Sequence, residues 1–279
     1  MMMRSLLYVP ASSERFVAKA HERGAHAVIL DLEDGVAPAE KTAARAALAA
    51  AVPAVGRNGA KVFVRINATA DRLAGDAEAA CRAGAFGLFV PKTQTAQRLG
   101  ELVTLLECVE GDCRRMPTVL VPLLEDPGAV LDARIIVGAP RVFALICGTE
   151  DLATALGGEP TPDVLRLPKL LVHMAAKAAG VRSFGMLRSV ADYADTEAIA
   201  LAAREARSFG FDGATCVHPG VVAVLNRAFA PTADEVARAE RMVDAAKAAF
   251  AAGMGAFVFE GKMVDEPIIA RARALLASR

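Results

Sequence analysis

Short β-branched runs that end in charge recur along this chain, and a helical stretch follows each one. AVILDLEDG (27–35) ends in Asp31, Glu33 and Asp34, KVFVRIN (61–67) in Arg65 and Asn67, and GLFVPK (87–92) in Lys92. TVLVPLLED (118–126) ends in Glu125 and Asp126, and RVFALICGTED (141–151) in Glu150 and Asp151. Eight runs read as strands: 4–10, 27–33, 61–67, 87–91, 118–124, 141–148, 183–189 and 213–218. Helical stretches lie near 13–24, 38–52, 72–83, 95–108, 127–138, 167–179, 195–208 and 219–228. Ser12 and Pro38 suit helix starts, and Gly24, Gly84, Gly180 and Gly210 suit helix ends. Strands alternating with helices pair in parallel through right-handed crossovers. Eight such units favour closure into an α/β TIM (β/α)8 barrel over an open doubly wound sheet. No GxGxxG follows the first run, which weakens a dinucleotide-binding reading. The rhythm changes after residue 230: a helix over 233–252 opens at Thr232, then come GMGAFVFEGKMVDEP and a last helix. Residues 1–230 therefore read as the barrel and 231–279 as a C-terminal helical extension or lid.

Composition narrows the class. Hydrophobic residues make up 54% of the chain with no Trp and 5% aromatics, so the core is aliphatic and alanine-rich. Lys+Arg and Asp+Glu are both 32, a balance that argues against a nucleic-acid platform. The five cysteines are scattered without a CxxC, which fits buried thiols in a reducing cytoplasm better than disulfides or zinc. No apolar run approaches the roughly 20 residues that span a bilayer, so no membrane partner is expected.

Charge at the carboxyl ends of buried parallel strands is how a barrel of this type builds an active site. Glu125 and Asp151 are the candidate metal ligands, since two carboxylates from adjacent strand ends can hold Mg²⁺ while water and substrate oxygens complete its shell. Capping of helices near Pro127 and Leu152 is the competing role. Asp31, Glu33 and Asp34 can ligate, orient metal-bound water from behind the ligands, or pair with Arg65, and the orienting role is favoured. Asp34-Gly35 is also a common turn pair. Arg65 can grip a carboxylate or stabilise an enolate oxygen, or it can serve as a structural ion-pair partner. Lys92 is a weaker candidate of the same kind. Arg15 and Lys19, with the amides opening the first helix, can seat a phosphate or simply belong to a capped surface helix. His218 is either a polar site residue or a strand-end histidine packing Pro219. By spacing alone, Asp265 in GKMVDEP reads as the cap of the last helix rather than as a mobile general acid.

Several of these stretches together resemble one family. RSLLYVP, AVILDLEDGVAPAEK, VRIN, FVPK, GTEDLA, GFDGATCVHPG with LNRAFAP, and GKMVDEP occur in order over nearly the whole chain. They resemble the citrate lyase beta-subunit-like proteins of the HpcH/HpaI aldolase superfamily, relatives of the malyl-CoA and citramalyl-CoA lyases. The resemblance implies a TIM barrel assembled as a trimer or hexamer, with a C-terminal segment able to close over a neighbour's site. It implies Mg²⁺ on Glu125 and Asp151, substrate oxygens on Arg65, and a proton donor and acceptor at Asp265. The segment around Arg15 and Lys19 resembles one that contacts coenzyme A phosphates.

The expected reaction is Mg²⁺-dependent cleavage of a malyl-CoA or citramalyl-CoA type substrate to acetyl-CoA and a 2-oxo acid. The alternatives are a citryl-thioester lyase working with an acyl carrier protein, an aldolase of free 4-hydroxy-2-oxo acids, and a retired CoA-binding barrel. Thioester hydrolysis is a further activity of such proteins. The chain departs from the family's pattern at PASSER in the first loop, at Ala214 where many relatives carry lysine, and at Gly185 in place of a common aspartate. Those departures bear on thioester binding and acyl specificity, not on the metal and arginine positions.

Overall fold

The computed structural model describes residues 3–189 and 193–277, so residues 190–192 of the segment 183–195 lie outside the described residues. The first four strands are β1 (Ser5–Pro10), β2 (Ala27–Asp31), β3 (Lys61–Arg65) and β4 (Gly87–Val90). The remaining barrel strands are β5 (Val119–Leu124), β6 (Ala144–Cys147), β7 (Arg182–Phe184) and β8 (Ala214–Cys216). All pair in parallel in the order β7-β6-β5-β4-β3-β2-β1-β8, and a parallel bridge from Phe184 to Gly213 joins the two ends. The chain forms a TIM barrel. Runs such as AVILD are buried at every position, because both faces of a helix-covered parallel sheet are dry.

The helices over this sheet are α1 (Glu14–Ala20), α2 (Lys41–Gly56), α3 (Ala70–Ala83), α4 (Ala96–Cys113), α5 (Pro127–Leu131) and α6 (Ala133–Ile136). Then follow α7 (Glu150–Ala155), α8 (Pro162–Ala178), α9 (Thr196–Phe209) and α10 (Pro219–Ala228). Capping decides several starts. Thr95 accepts from Arg98 N at 3.3 Å, and Asp126 accepts from Ala129 N at 3.0 Å. The stretch near 127–138 is two short helices that meet at Asp132, and the helix expected over 167–179 begins earlier, at Pro162 behind the Thr161 cap.

Alternation along the strands sorts the core into two layers. Leu6, Ile29, Phe63, Phe89, Val121, Leu123, Ile146 and Phe184 fill the barrel interior. Val28, Leu30, Val62, Val64, Leu88 and Val90 face the helices. Because the side-chain period is two, the next interior positions after Leu6, Ile29, Phe63 and Leu123 are Tyr8, Asp31, Arg65 and Glu125. The mouth of the barrel continues the core's own register, with polar groups replacing apolar ones.

Closure demands glycine where β8 meets β1. A Cβ on Gly213 would overlap the carbonyl oxygen of Met3 and lie 2.8 Å from that of Arg4. Gly213→Ala is expected to destabilise the fold by roughly 1–3 kcal/mol, the usual cost of overpacking. A urea titration checks this, and an unshifted midpoint would show that the β1–β8 seam yields without cost.

Residues from Thr232 onward pack on a core of their own. Helix α11 (Ala233–Ala251) opens with a capping box between Thr232 and Glu235. An antiparallel hairpin, β9 (Phe257–Phe259) and β10 (Lys262–Val264), leads to α12 (Glu266–Ala277). Ala239, Met242, Ala246, Val264, Ile269 and Ala272 bury one another there. Glu260 and Gly261 turn the hairpin at φ 50° and 76°, the two left-handed residues of a type I′ turn. Among the described residues no helix is long and apolar enough to cross a membrane.

Candidate active site

A cavity of about 430 Å³ opens at the carboxyl ends of the strands. Asp31, Asp34, Glu125, Glu150 and Asp151 line it against two cations, Arg65 and Lys169. That excess of carboxylates calls for a cation from outside.

Arg65 stands at its centre. Its Nε and Nη2 donate to the two oxygens of Asp31, each at 2.6 Å, and Nη1 lies 3.2 Å from Glu33 and 3.4 Å from Asp34. The guanidinium also sits 5.0 Å above the ring of Tyr8. Burial works against the charge of Arg65, but the bidentate Asp31 and the other carboxylates outweigh it and hold the group protonated. Asp31 in turn accepts from Glu33 N at 2.9 Å and Gly35 N at 2.8 Å. It thus spends its lone pairs on Arg65 and the turn, acting as the arginine's support. Lys41 Nζ ties the same loop down, donating to the carbonyl oxygens of Leu32 and Glu33 at 3.1 and 2.8 Å.

Glu125 is freed for chemistry by its neighbour. Asp126, not Glu125, caps α5, and Glu125 accepts instead from Lys92 N at 2.6 Å. Lys92 holds a left-handed φ of 50° to present that amide. Burial pushes the Glu125 carboxyl up to about 7, with Glu33 and Asp151 adding to the rise. Burial likewise pushes Glu33 to about 7, against the pull of Arg65. Asp151 lies inside the first turn of α7, one residue past Glu150, and Thr149 occupies the capping position without a side-chain bond. The ammonium of Lys92 stands 3.5 Å from Glu33 and 3.8 Å from Asp151.

Carboxylates raised by burial and mutual repulsion fit a hard divalent cation, which would relieve both effects. Glu125 and Asp151 supply two oxygen donors. Among the described residues no group of three or more His, Cys, Asp or Glu forms a ready metal cage. The pair leaves most of an octahedral shell to water and substrate, as catalytic Mg²⁺ prefers.

Sequence reasoning missed two wall residues and a glycine. Tyr8 follows Leu6 on the interior face of β1, and burial raises its phenol well above the usual range. Lys169 projects from α8, where Leu165, Val172 and Ala176 form the buried face. A lysine on that stripe at helical spacing was the legible signal. Gly148 abuts Glu125, and an added Cβ there would overlap the glutamate's Cγ. Gly148→Ala is expected to displace Glu125 and weaken Mg²⁺ binding roughly 10–100-fold, the usual effect of disturbing a ligand's support. Calorimetric titration of Mg²⁺ checks this, and wild-type affinity would show that Glu125 can ligate from a shifted rotamer.

The other predicted residues stand apart. Arg15 and Lys19 are exposed on α1, outside the cavity wall, with the Arg15 guanidinium 4.8 Å from the Phe16 ring. His218 begins α10, accepts from Gly220 N at 3.1 Å and stacks on Tyr193 at 5.0 Å. Asp265 follows β10, and its backbone carbonyl opens α12 by accepting from Ile269 N at 3.1 Å. Its carboxylate makes no hydrogen bond or ion pair among the described residues, and it is not part of its own chain's cavity wall.

Barrel, mouth and acidic pair set the context for what the chain is similar to. Residues 4–219 match the model of the HpcH/HpaI aldolase/citrate lyase family. The chain belongs to that family. It is an enzyme of the carbon–carbon lyase type that the family comprises. A citrate lyase subunit beta-like protein of Deinococcus radiodurans is 34% identical over 99% of this chain and 97% of its own length. A (3S)-malyl-CoA thioesterase of Cereibacter sphaeroides is 32% identical over 98% of this chain and 93% of its own. The crystal structure of CitE from Mycobacterium tuberculosis, in complex with magnesium, acetoacetate and coenzyme A, superposes with a TM-score of 0.81 at 33% identity. It covers 99% of this chain and 98% of its own.

Proposed function

We propose that this enzyme is a Mg²⁺-dependent lyase that cleaves a 3-hydroxy acyl-CoA bearing a carboxylate into acetyl-CoA and a 2-oxo acid. The observation that carries the reading is the pairing of Glu125 with Asp151 beside an arginine already fixed by Asp31. The Mycobacterium relative crystallised with magnesium and coenzyme A supports it. Held by Glu125 and Asp151, Mg²⁺ would supply Lewis-acid polarisation of the substrate's carboxylate and hydroxyl oxygens.

The protein's own groups do the rest. The bond between the hydroxyl-bearing carbon and the thioester's α-carbon breaks, the hydroxyl gives its proton to the Asp265 carboxylate, and the electron pair remains on the thioester side. Arg65 offsets negative charge gathering on the reacting oxygens, and because Asp31 already holds it in place, little reorganisation is needed. Asp265 then returns one proton to the α-carbon, giving the methyl group of acetyl-CoA. Protons and electrons balance without a co-reactant. Asp265 acts from the neighbouring subunit of a trimer or hexamer, the C-terminal unit serving as a lid. Its unpartnered carboxylate, away from its own cavity, supports that arrangement. Arg15 and Lys19 take the phosphates of coenzyme A at the mouth's rim.

Incubation with malyl-CoA, citramalyl-CoA and citryl-CoA, with Mg²⁺ or with EDTA, tests the reading. Metal-dependent release of acetyl-CoA and a 2-oxo acid is expected. Cleavage only of a free 4-hydroxy-2-oxo acid would replace the thioester reading with an aldolase. Release of free coenzyme A with the hydroxy acid intact would point to hydrolysis, the activity for which the Cereibacter relative is named.

A further inference from the structure

Arg65 can steady charge on a substrate only from a fixed place, and three carboxylates compete for it. Its Nη1 lies 3.2 Å from Glu33 and 3.4 Å from Asp34, while Nε and Nη2 bond Asp31 at 2.6 Å each. The turn after β2 decides that contest by holding Asp31. The Asp31 carboxylate accepts from Glu33 N at 2.9 Å and from Gly35 N at 2.8 Å. The Glu33 N–H belongs to the peptide unit that also carries the Leu32 carbonyl. Such a unit is planar and trans, with its N–H and C=O on opposite edges. Asp31 takes one edge of the Leu32–Glu33 peptide, so whatever grips the other edge sets where its donor points.

Two side chains grip that other edge. Lys41 Nζ donates to Leu32 O at 3.1 Å, and Asn67 Nδ2 donates to the same oxygen at 2.9 Å. Lys41 spends its other two N–H groups on Glu33 O at 2.8 Å and on Asn67 Oδ1 at 2.5 Å. The Asn67 amide is pinned in turn, because a flip would set its oxygen against Asp76 and its N–H groups against Lys41. Asp76 is buried on α3, where it accepts from Asn67 Nδ2 at 2.7 Å and from Arg45 Nε at 2.6 Å. A line of bonded partners thus runs from Arg45 on α2 to Arg65 at the mouth, with a single peptide unit as its backbone link. An ammonium on the carbonyl also polarises that peptide and strengthens the N–H that Asp31 accepts. Helix chemistry does not explain this lysine, which opens α2 at the end of a helix where a positive charge is disfavoured.

We propose that Lys41 is a positioning residue for Arg65: through the Leu32–Glu33 peptide it places Asp31, and Asp31 places the guanidinium. What Arg65 does once placed rests on the lyase reading above, but the placement itself does not.

A double-mutant cycle between Lys41→Met and Arg65→Gln tests this, read as kcat and KM on the thioester that wild type cleaves. Lys41→Met alone is expected to lower kcat roughly 10- to 100-fold, the usual effect of misplacing a group that acts in the transition state. Mg²⁺ affinity by calorimetry should change by no more than about twofold, since Lys41 bonds neither Glu125 nor Asp151. In the Arg65→Gln background the same change should cost less than about twofold further, because the group it positions is gone. A second readout needs no turnover: the Arg65 Nε–H resonance in ¹⁵N-arginine-labelled protein, assigned by its absence from Arg65→Gln. Lys41→Met should move that resonance toward those of exposed arginines. An equal loss of kcat in both backgrounds would make Lys41 a general support of the fold and overturn the inference. So would undiminished turnover in Lys41→Met, or an Arg65 resonance that already matches exposed arginines in wild type, a result independent of how any variant folds. If wild type cleaves a thioester and the cycle is additive, this inference falls and the lyase reading stands. If wild type cleaves none, the lyase reading falls and the Arg65 resonance still decides the role of Lys41.

Discussion

Glu125→Gln is expected to remove metal-dependent turnover while leaving the protein at least as stable as before. A bound metal supplies several kcal/mol of charge stabilisation in the transition state, so kcat/KM should fall by roughly 10³-fold or more. Stability should move the other way. Burial and the neighbouring Glu33 and Asp151 disfavour the charge of Glu125, and Lys92 N at 2.6 Å is its recorded hydrogen-bond donor. A neutral amide of the same shape keeps that hydrogen bond at its oxygen and relieves the repulsion, as active-site neutralisations often do. Turnover measured across a Mg²⁺ titration, alongside a thermal melt, separates the outcomes. Lost turnover with a raised or unchanged Tm marks Glu125 as a ligand. Lost turnover with a collapsed melt marks it as a structural group, and undiminished turnover removes it from the metal altogether. Asp151 lies nearer the surface with a side chain 48% exposed, so Asp151→Asn should cost metal affinity with little change in Tm.

Much of this was legible because the barrel repeats one rule. Each strand's period-two alternation holds to its carboxyl end, and one residue beyond it at Glu125, so Asp31, Arg65 and Glu125 could be placed at the mouth from Ile29, Phe63 and Leu123. What sequence could not do was choose between the capping and functional roles of adjacent acids. Glu125 and Asp126 read alike in one dimension, and only the chain path shows that Asp126 bonds Ala129 N while Glu125 turns to Lys92 N. Arg65 raised a similar choice: the structure shows its ion pair with Asp31 and its place on the cavity wall, and its work on substrate is what we propose. The β9–β10 hairpin went unread because Glu260-Gly261 is an unusual pair for a type I′ turn and its strands are three residues each. Lys169 was missed for a different reason. Its partners Met186 and Arg188, in the segment after β7, lie 17 and 19 residues away in sequence and accept through backbone oxygens, which leave no trace in residue type.

The role of Asp265 is the point on which spacing, family and structure must be brought together. Spacing made it a helix cap, and its backbone does open α12, but the carboxylate makes no capping bond there. Asp265 is a half-buried carboxylate with no partner among the described residues and is absent from the cavity wall of its own chain, which is why it is proposed to serve a neighbour's site. Asp265→Asn should accordingly lower kcat by roughly 10²–10⁴-fold, the usual worth of a positioned proton donor, while Mg²⁺ binding stays at the wild-type level. Subunit mixing then fixes whose site it serves. If each site takes Glu125 from one protomer and Asp265 from the next, random reassembly of equal amounts of Asp265→Asn and Glu125→Gln leaves about a quarter of the sites intact in a symmetric oligomer. Activity should return to about that fraction after the two inactive variants are dissociated and reassembled together. A mixture that stays inactive, though each variant reassembles, would place Asp265 in its own subunit's site and require the C-terminal unit to fold back over its own barrel. Full turnover in Asp265→Asn alone would leave the residue with nothing but its backbone role, and the returning proton would have to come from the acids of the mouth.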